Sequence, residues 1–377
     1  SFGGELSSLS SIQLGIFAVK VALEQANVPS EKVDEVLYGC VVQANLGQAP
    51  AKQVALASGI GTNVPCTTVN KVCASGMKSV MFGAQSIMLG HSNIIVAGGM
   101  ESMSNIPFYM PKVRWGHKYG DTPLIDGLNK DGLMDAYDHI AMGNYADETA
   151  RKFELSREEQ DAFAIESYKR SAAATADGKF KNEIIPVPVP QRKGDPVLVA
   201  EDEEYKRVKF EKIPALRPAF SKEGTVTAAN ASTINDGASA IILASEEAVN
   251  ELGLKPIAKI VSFADAAQDP KWFTTAPGLA APLALKRAGM KLKDIDYFEV
   301  NEAFAAVTMA FNKQLEIDPS IVNVHGGACS LGHPLGASGA RILTTLNHVL
   351  LDRDANLGLA TLCNGGGGAS AIIIERV

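Results

Sequence analysis

The 377-residue sequence is 46% hydrophobic and 20% charged, and its formal net charge at pH 7 is −7. This length predicts more than one domain, and an acidic balance without any basic domain argues against nucleic acid as a partner. No run of about 18 apolar residues occurs, so no membrane-spanning helix is predicted. The five cysteines are widely spaced and form no C-x-x-C pair, which indicates neither a zinc site nor a disulfide framework.

The first predicted helix spans 10–26, because apolar residues recur there every three or four positions and Ser10 or Ser11 can serve as the N-cap. Three segments from the first part of the chain then reappear downstream in the same order. The matching pairs are 22–34 with 284–296, 73–78 with 336–341, and 94–99 with 360–366. Chance supplies one such match easily but hardly three in register, so the sequence predicts a duplicated domain.

Each half alternates short strands rich in Val and Ile with helical stretches, which is typical of an α/β fold in which helices cover sheets. The expected strands include 93–97, 297–300, 321–324 and 371–375. Two duplicated halves of this kind predict a layered, pseudo-symmetric body.

Between the halves lies a segment of different composition, rich in Pro and charged residues, at 103–232. Its one periodic stretch is a predicted helix at about 156–175, which a capping box at Ser156 opens. Such an insertion is usually a lid or a binding subdomain. We therefore predict an N-terminal half at 1–102 plus 233–254, an inserted loop domain at 103–232 and a C-terminal half at 255–377.

A cysteine at a helix N-terminus is the first candidate for chemistry. Cys73 follows a predicted strand and precedes a predicted helix, and Gly76 allows other backbone to approach closely. Unpaired N–H groups and the helix dipole favour a thiolate there, so we expect a lowered pKa for Cys73. The alternative interpretation is a buried structural cysteine.

Three further motifs carry candidate residues. Asn301 directly follows the strand 297–300, at the edge where α/β folds place their sites, although a turn asparagine is equally compatible. His333 lies in a glycine-rich loop without apolar periodicity, and imidazole commonly activates cysteine. Cys363 lies just before four glycines. Such a loop suggests either a phosphate-binding site or backbone N–H donors to an oxyanion. Neither a P-loop motif nor a G-x-G-x-x-G motif is present, so phosphate binding is weakly supported.

Together these motifs resemble the thiolase family over nearly the whole chain. The blocks that carry the resemblance are Val-Cys-Ala-Ser-Gly at 72–76, Asn-Glu-Ala-Phe-Ala at 301–305, Gly-His-Pro-Leu-Gly-Ala-Ser-Gly at 332–339 and Cys-Asn-Gly-Gly-Gly-Gly at 363–368. The resemblance implies a layered fold of two duplicated βαβαβαββ-type halves with an inserted loop domain. It also implies reversible condensation of two acetyl-CoA to acetoacetyl-CoA plus CoA through an acetyl-cysteine.

The resemblance implies a role for each site residue. Cys73 would be the nucleophile, and His333 would activate it and donate to the thioester oxygen. Cys363 would be the general acid/base, Asn301 would hold a water of one oxyanion hole, and the N–H of Gly365 would contribute to the other. No cofactor is required for this chemistry, and CoA is a substrate.

Further residues would bind CoA or a potassium ion. The resemblance places CoA contacts at Tyr168, Arg207, Val208, Lys209, Lys212 and Ser232. A potassium ion would be held by Tyr168, Ala228, Ala229, Ala231 and Cys329. Each of the two lysines is equally compatible with a solvated surface charge that does not contact CoA. The resemblance also implies a homo-oligomer, expected to be a homotetramer with contacts at 104–125.

The sequence departs from the family pattern in places. The strand that usually precedes the equivalent of Ser1 is absent, so the first sheet is expected to lack one member. No targeting segment is present and the chain opens without Met, so we expect processing; the resemblance favours the mitochondrial matrix, with the cytosol as alternative. Further substrates compatible with the resemblance are 2-methylacetoacetyl-CoA and propionyl-CoA.

Three rival functions share parts of this pattern. A 3-ketoacyl-CoA thiolase of broader chain length would use the same residues. A decarboxylating condensing enzyme has no need of a second thiol at Cys363. A non-catalytic CoA- or lipid-binding relative would not need all four catalytic residues, Cys73, Asn301, His333 and Cys363.

Overall fold

The computed structural model describes all residues from Ser1 to Val377. The helices are α1 Ser11–Gln25, α2 Pro50–Ala57, α3 Ser75–Met88, α4 Met142–Lys152, α5 Arg157–Ala176, α6 Glu204–Arg207, α7 Glu246–Leu252, α8 Pro277–Ala288, α9 Ala305–Leu315, α10 Ala328–Leu331 and α11 Leu335–Asp352. The strands are β1 Glu35–Gly39, β2 Cys66–Val69, β3 Ile94–Ser102, β4 Phe108–Tyr109, β5 Ile125–Asp126, β6 Val187–Val189, β7 Val197–Val199, β8 Asp236–Ala244, β9 Ala258–Ala267, β10 Tyr297–Val300, β11 Leu357–Asn364 and β12 Gly368–Arg376. None of the helices is long and apolar enough to span a bilayer.

Two four-stranded sheets form the body and repeat one topology. The first has the order β2-β1-β3-β8, with β8 antiparallel to β3, and the second has the order β10-β11-β12-β9, with β12 antiparallel to β11. β1, β3 and β8 therefore correspond to β10, β11 and β12. This arrangement confirms the duplicated α/β fold predicted from the sequence.

The outer edge of β8 distinguishes the first sheet from the second. β12 pairs on that edge with β9, whereas β8 has no neighbour there. A cavity of about 1660 Å³ runs along the open edge, lined by β8, α1 and residues 254–263. Both sheets contain four strands, but the first lacks a counterpart of β9 next to β8, at the edge where the sequence predicts a missing member.

The strand predicted at 321–324 is wrong. Pro319–Ile321 forms a single helical turn, and one isolated bridge joins Phe298 to Val322. Asn323 adopts a positive φ of 49°, and its side-chain amide exchanges two hydrogen bonds of 2.8 Å with the backbone of Val300. A side chain therefore occupies the place of a strand neighbour beside β10.

The two halves meet where α3 and α11 pack so closely that their backbones are in contact. A Cβ on Gly76 would lie 2.9 Å from the carbonyl oxygen of Gly336, and a Cβ on Gly339 would lie 2.4 Å from the nitrogen of Met77. Only glycine allows so close a crossing. The repeated Ala-Ser-Gly motifs thus bring the N-terminal ends of both helices together.

The capped helices agree with their sequence signals. α1 begins at Ser11, where Ser10 and Gln13 form a capping box, and α5 begins at Arg157, where Ser156 and Glu159 form another. The insertion contains one further long helix, α4, which was not predicted. Its buried face consists of Tyr145 and small or polar residues, so it carries little apolar bulk.

Candidate active site

Cys73 lies in the turn between β2 and α3, two residues before the helix starts. The preceding residue, Val72, has a φ of 48°, which is unfavourable for a β-branched side chain and costs about 1–3 kcal/mol. Its hydrogen-bonded surroundings maintain this conformation: the Val72 N–H donates to Asn70 over 2.9 Å, and its carbonyl accepts from Ser75 over 2.6 Å. The strained turn fixes the direction in which Cys73 leaves the backbone.

Two backbone N–H groups lie near the sulfur of Cys73. The N–H of Gly365 and the N–H of Cys73 itself are close enough to act against the rise in the pKa of the thiol. Gly365 belongs to the hairpin turn between β11 and β12, so the two donors come from different halves of the chain. Two such donors can stabilise negative charge that develops beside this sulfur.

Burial acts against the thiolate that the sequence predicted. Cys73 is 9% exposed, and its burial raises the pKa of the thiol to about 12, although the N–H of Gly365 opposes this increase. The expectation of a lowered pKa is therefore wrong for the chain without substrate, because desolvation outweighs the helix terminus. Cys73 rests as a thiol and needs a base in order to react.

His333 lies between α10 and α11, three residues before the Gly336 that touches α3. It is 5% exposed, its backbone N–H donates to Asn235 over 3.0 Å, and its Nδ1 lies 2.6 Å from the hydroxyl of Ser338. Burial, aided by the positive charge of Arg341, lowers the pKa of His333 to about 3. The imidazole is therefore neutral at physiological pH and is able to accept a proton.

Asn301 lies beside this imidazole, as its position after β10 predicts. Its side chain is 1% exposed, and Nδ2 lies 3.5 Å from both ring nitrogens of His333. Its Oδ1 is buried without a hydrogen-bond partner in the protein. An unpaired buried acceptor of this kind is suited to a water or a ligand N–H.

Cys363 provides a second thiol, at the end of β11. It is fully buried in an apolar cluster with Tyr145 and Phe273, and burial raises its pKa well above the usual value. A negative charge on Cys73 would raise the pKa of Cys363 further, so the two thiols are close enough to interact electrostatically. Ionising both thiols together is unfavourable, which favours their use in alternation.

The segment from Ala228 to Ser232 lies against the loop that carries Asn301. The N–H of Ser232 donates to the Ala303 carbonyl over 3.0 Å, and Ala231 bridges to Phe304. Tyr168 is buried in α5, and this burial raises the pKa of its hydroxyl; a negative charge on Cys329 would raise that pKa further.

The candidate basic residues for CoA lie at the end of α6 and just after it. Arg207 ends α6 and pairs with Glu203 over 2.8 Å, Val208 is half-buried, and Lys209 and Lys212 are exposed and form no ion pair. The ring of Phe210 meets the ring of Tyr168 edge-on at 6.4 Å, which joins this segment to α5.

Several residues that hold the site could not be predicted from the sequence. Asn235 fixes the backbone of His333, and the hydroxyl of Ser338 contacts its ring. Glu101 accepts N–H groups from Val41, Val42 and Gly336 over 2.9–3.1 Å and so joins the two halves. Only the repeat of Ser338 within the duplicated motif signalled any of them in the sequence.

The geometry defines a class of protein. Two adjacent thiols, a neutral buried imidazole, an amide with a free acceptor and converging backbone donors are the components of covalent acyl transfer through cysteine. They are assembled from both halves of a duplicated α/β fold.

Comparisons with known proteins identify the family. The model of the thiolase N-terminal domain matches residues 1–247, and that of the thiolase C-terminal domain matches residues 254–376. The chain belongs to the thiolase family.

Similar proteins are known along the full length of the chain. It is 55% identical to an acetyl-CoA acetyltransferase of Schizosaccharomyces pombe, covering 100% of this chain and 96% of the relative. It is 54% identical to a mitochondrial acetyl-CoA acetyltransferase of Rattus norvegicus, covering 100% of this chain and 88% of the relative. Among solved structures, the Acat5 thiolase from Ascaris suum in complex with coenzyme A is 48% identical, with a TM-score of 0.95, over 100% of this chain and 96% of that one.

Proposed function

We propose that this chain is an acetyl-CoA C-acetyltransferase, which condenses two acetyl-CoA to acetoacetyl-CoA plus CoA and catalyses thiolysis in reverse. The observation that carries the proposal is the pair of neighbouring buried thiols, Cys73 and Cys363, in a fold that also buries the contacting side chains of His333 and Asn301. A carbon–carbon bond between two thioesters needs one group to hold an acyl chain and another to remove an α-proton. Full-length relatives that bear this enzyme name support the proposal.

The first half-reaction transfers acetyl to the enzyme. The sulfur of Cys73 attacks the thioester carbonyl while its proton passes to His333, and the N–H groups of Cys73 and Gly365 stabilise the oxyanion. The bond from carbon to the CoA sulfur then breaks, and the departing thiolate takes the proton of Cys363. Free CoA leaves, and acetyl-Cys73, the Cys363 thiolate and the His333 imidazolium remain.

The second half-reaction forms the new bond. The Cys363 thiolate removes an α-proton from a second acetyl-CoA, and the resulting enolate oxygen is stabilised by His333 and by a water on Asn301. The enolate carbon attacks the acetyl group on Cys73. The tetrahedral intermediate expels the Cys73 thiolate, which recovers its proton from His333. All three groups return to their resting protonation states, and acetoacetyl-CoA is released.

Aromatic side chains around Cys363 favour short acyl groups. The rings of Tyr145 and Phe273 meet edge-on with centroids 6.4 Å apart, and those of Phe220 and Phe304 with centroids 6.0 Å apart. All four belong to or pack against the apolar cluster that contains Cys363. This crowding favours acetyl transfer over the alternative of a 3-ketoacyl-CoA thiolase of broad chain length.

CoA would extend from the thiols across the insertion. We propose that Ser232 contacts the pantetheine arm, and that Lys209 and Lys212, which have no acidic partner, meet the phosphates. Arg207 would have to break its ion pair with Glu203 in order to bind a phosphate. Val208 would contact CoA near its adenine ring. Tyr168 would support this segment from α5 through its contact with Phe210.

A potassium ion fits the carbonyl groups beside Tyr168. The carbonyl oxygens of Ala228, Ala229 and Ala231 accept no hydrogen bond from the protein, and oxygen atoms, backbone carbonyls among them, are the ligands of hard cations. We propose that these carbonyls, the Tyr168 hydroxyl and the carbonyl of Cys329 hold the ion, which would supply positive charge and rigidity next to the pantetheine segment. No step of the reaction depends on it.

Exposed aromatic residues on the insertion support a homotetramer. Trp115 is 85% exposed and Tyr119 is 97% exposed, whereas Tyr109 is half-buried and bonded to Asp131. Apolar side chains this exposed are typical of interfaces. Light scattering should give the mass of a tetramer, and Trp115→Ser with Tyr119→Ser should reduce it to a dimer; a dimeric unmodified protein would contradict the proposal.

We also propose the mitochondrial matrix as the compartment, with the cytosol as the alternative. Relatives from rat and mouse carry the mitochondrial designation, whereas the fission-yeast relative carries none. Fractionation of cells that express the endogenous protein would distinguish the two.

Thiolysis of three substrates tests the proposed function. Acetoacetyl-CoA should be cleaved rapidly, a medium-chain 3-ketoacyl-CoA poorly, and 2-methylacetoacetyl-CoA measures tolerance of the branch. Replacing potassium with sodium should lower the rate if the carbonyl site holds the ion. A medium-chain preference would favour a degradative thiolase, and no turnover of any substrate would favour a non-catalytic CoA-binding relative.

A further inference from the structure

The imidazole of His333 has one close side-chain partner, the hydroxyl of Ser338. Oγ of Ser338 lies 2.6 Å from Nδ1, whereas the amide of Asn301 lies 3.5 Å away. Ser338 is fully buried in the first turn of α11, so no solvent competes for this contact. The hydroxyl therefore determines which ring nitrogen carries the proton.

The single proton of this hydroxyl has a second possible acceptor. Oγ of Ser338 lies 2.9 Å from the carbonyl oxygen of Pro334, which can only accept a hydrogen bond. If Ser338 donates to that carbonyl, its oxygen accepts from Nδ1–H of His333. Both contacts are then satisfied, and Nε2 is left without a proton.

We propose that Ser338 is a positioning residue that holds His333 in the Nδ1–H tautomer, so that Nε2 is the basic atom. This inference rests on the proposed function, in which His333 takes the proton of Cys73. A carboxylate at this position would also fix the tautomer, but its charge would stabilise the imidazolium. The hydroxyl orients the ring and leaves it neutral.

The duplicated half provides an internal comparison. Ser75 occupies the matching position in α3, where its hydroxyl accepts from the Lys71 N–H over 2.9 Å and donates to the Val72 carbonyl over 2.6 Å. Both serines therefore donate to a carbonyl near their helix N-terminus. The proposal extends this parallel: Nδ1–H of His333 donates to Ser338 as the N–H of Lys71 donates to Ser75.

The first test compares Ser338→Ala with Ser79→Ala. Ser79 is an equally buried helical serine whose hydroxyl donates only to the Ser75 carbonyl over 3.0 Å, so it controls for packing. For Ser338→Ala in acetoacetyl-CoA thiolysis we expect kcat to fall about 10- to 100-fold, with KM changed less than about twofold. An equal fall in both variants, or none in Ser338→Ala, would overturn the proposal.

A second readout needs no turnover. In protein labelled with ¹⁵N-histidine, the ring shifts of His333 should show a protonated Nδ1 and a bare Nε2 at pH 7, and Ser338→Ala should change that ratio. Identical shifts in the two proteins, or a protonated Nε2 in the unmodified chain, would overturn the proposal even if kcat falls. Failure of the unmodified chain to cleave any substrate would instead contradict the proposed function, since the tautomer is measured independently.

Discussion

Replacing Cys363 by alanine should abolish thiolysis of acetoacetyl-CoA while leaving acetylation of Cys73 measurable. The α-carbon then has no acid or base, and positioned proton transfer contributes about 10²–10⁴-fold, so we expect turnover to fall by at least about 10³-fold. Cys73 still has His333 as base and the N–H of Gly365 as donor. Transfer of one acetyl group from acetyl-CoA to Cys73 should therefore still occur, and mass spectrometry of the intact chain would detect it.

Cys66→Ala is the matched control for this experiment. Cys66 is a half-buried thiol in β2 whose only hydrogen bond is to the Val64 carbonyl, so its loss should leave both half-reactions unchanged. Thiolysis by Cys363→Ala at the unmodified rate would show that another group moves the α-proton. Loss of acetylation together with turnover would show that the first half-reaction cannot proceed without the proton of Cys363.

Glu101→Ala should lower the free energy of unfolding by at least about 3 kcal/mol. The carboxylate accepts from the N–H groups of Val41, Val42 and Gly336, and each buried donor left unpaired costs about 1 kcal/mol or more. Gly336 lies in the first turn of α11, where a negative charge is also favourable. Burial raises the pKa of Glu101 to about 7, yet either protonation state keeps oxygen acceptors toward these groups.

Urea denaturation of Glu101→Ala beside Glu24→Ala measures this effect. Glu24 is exposed on α1 and its carboxylate makes no hydrogen bond or ion pair, so its replacement should change stability by less than about 0.5 kcal/mol. A similar, small effect in both variants would mean that water replaces the carboxylate. Because Gly336 follows His333 closely, we also expect Glu101→Ala to lose activity where it still folds.

The residues that sequence analysis found are those whose signal is local. The capping boxes at Ser10 and Ser156 predicted the starts of α1 and α5, and the motifs around Cys73 and Cys363 predicted thiols at the ends of strands. Each of these depends on neighbours within a few positions. The duplication was also visible, because it repeats the order of residues along the chain.

What the sequence did not predict depends on contacts between distant segments. Glu101 binds the backbone of Gly336 across the two halves, and Asn323 takes the place of a strand beside β10 through its side chain. The pKa of Cys73 follows from burial by both halves, which outweighs the local helix terminus. These effects appear only once the α3–α11 crossing has formed.

Acetylation of the unmodified chain tests the central claim most directly. Protein mixed with acetyl-CoA, quenched with acid and digested should carry one acetyl group on the peptide that contains Cys73, and added CoA should remove it. That result would establish Cys73 as the acyl carrier between the two half-reactions. Active enzyme that turns over acetoacetyl-CoA without an acetyl group on Cys73, or with one on another cysteine, would contradict the account.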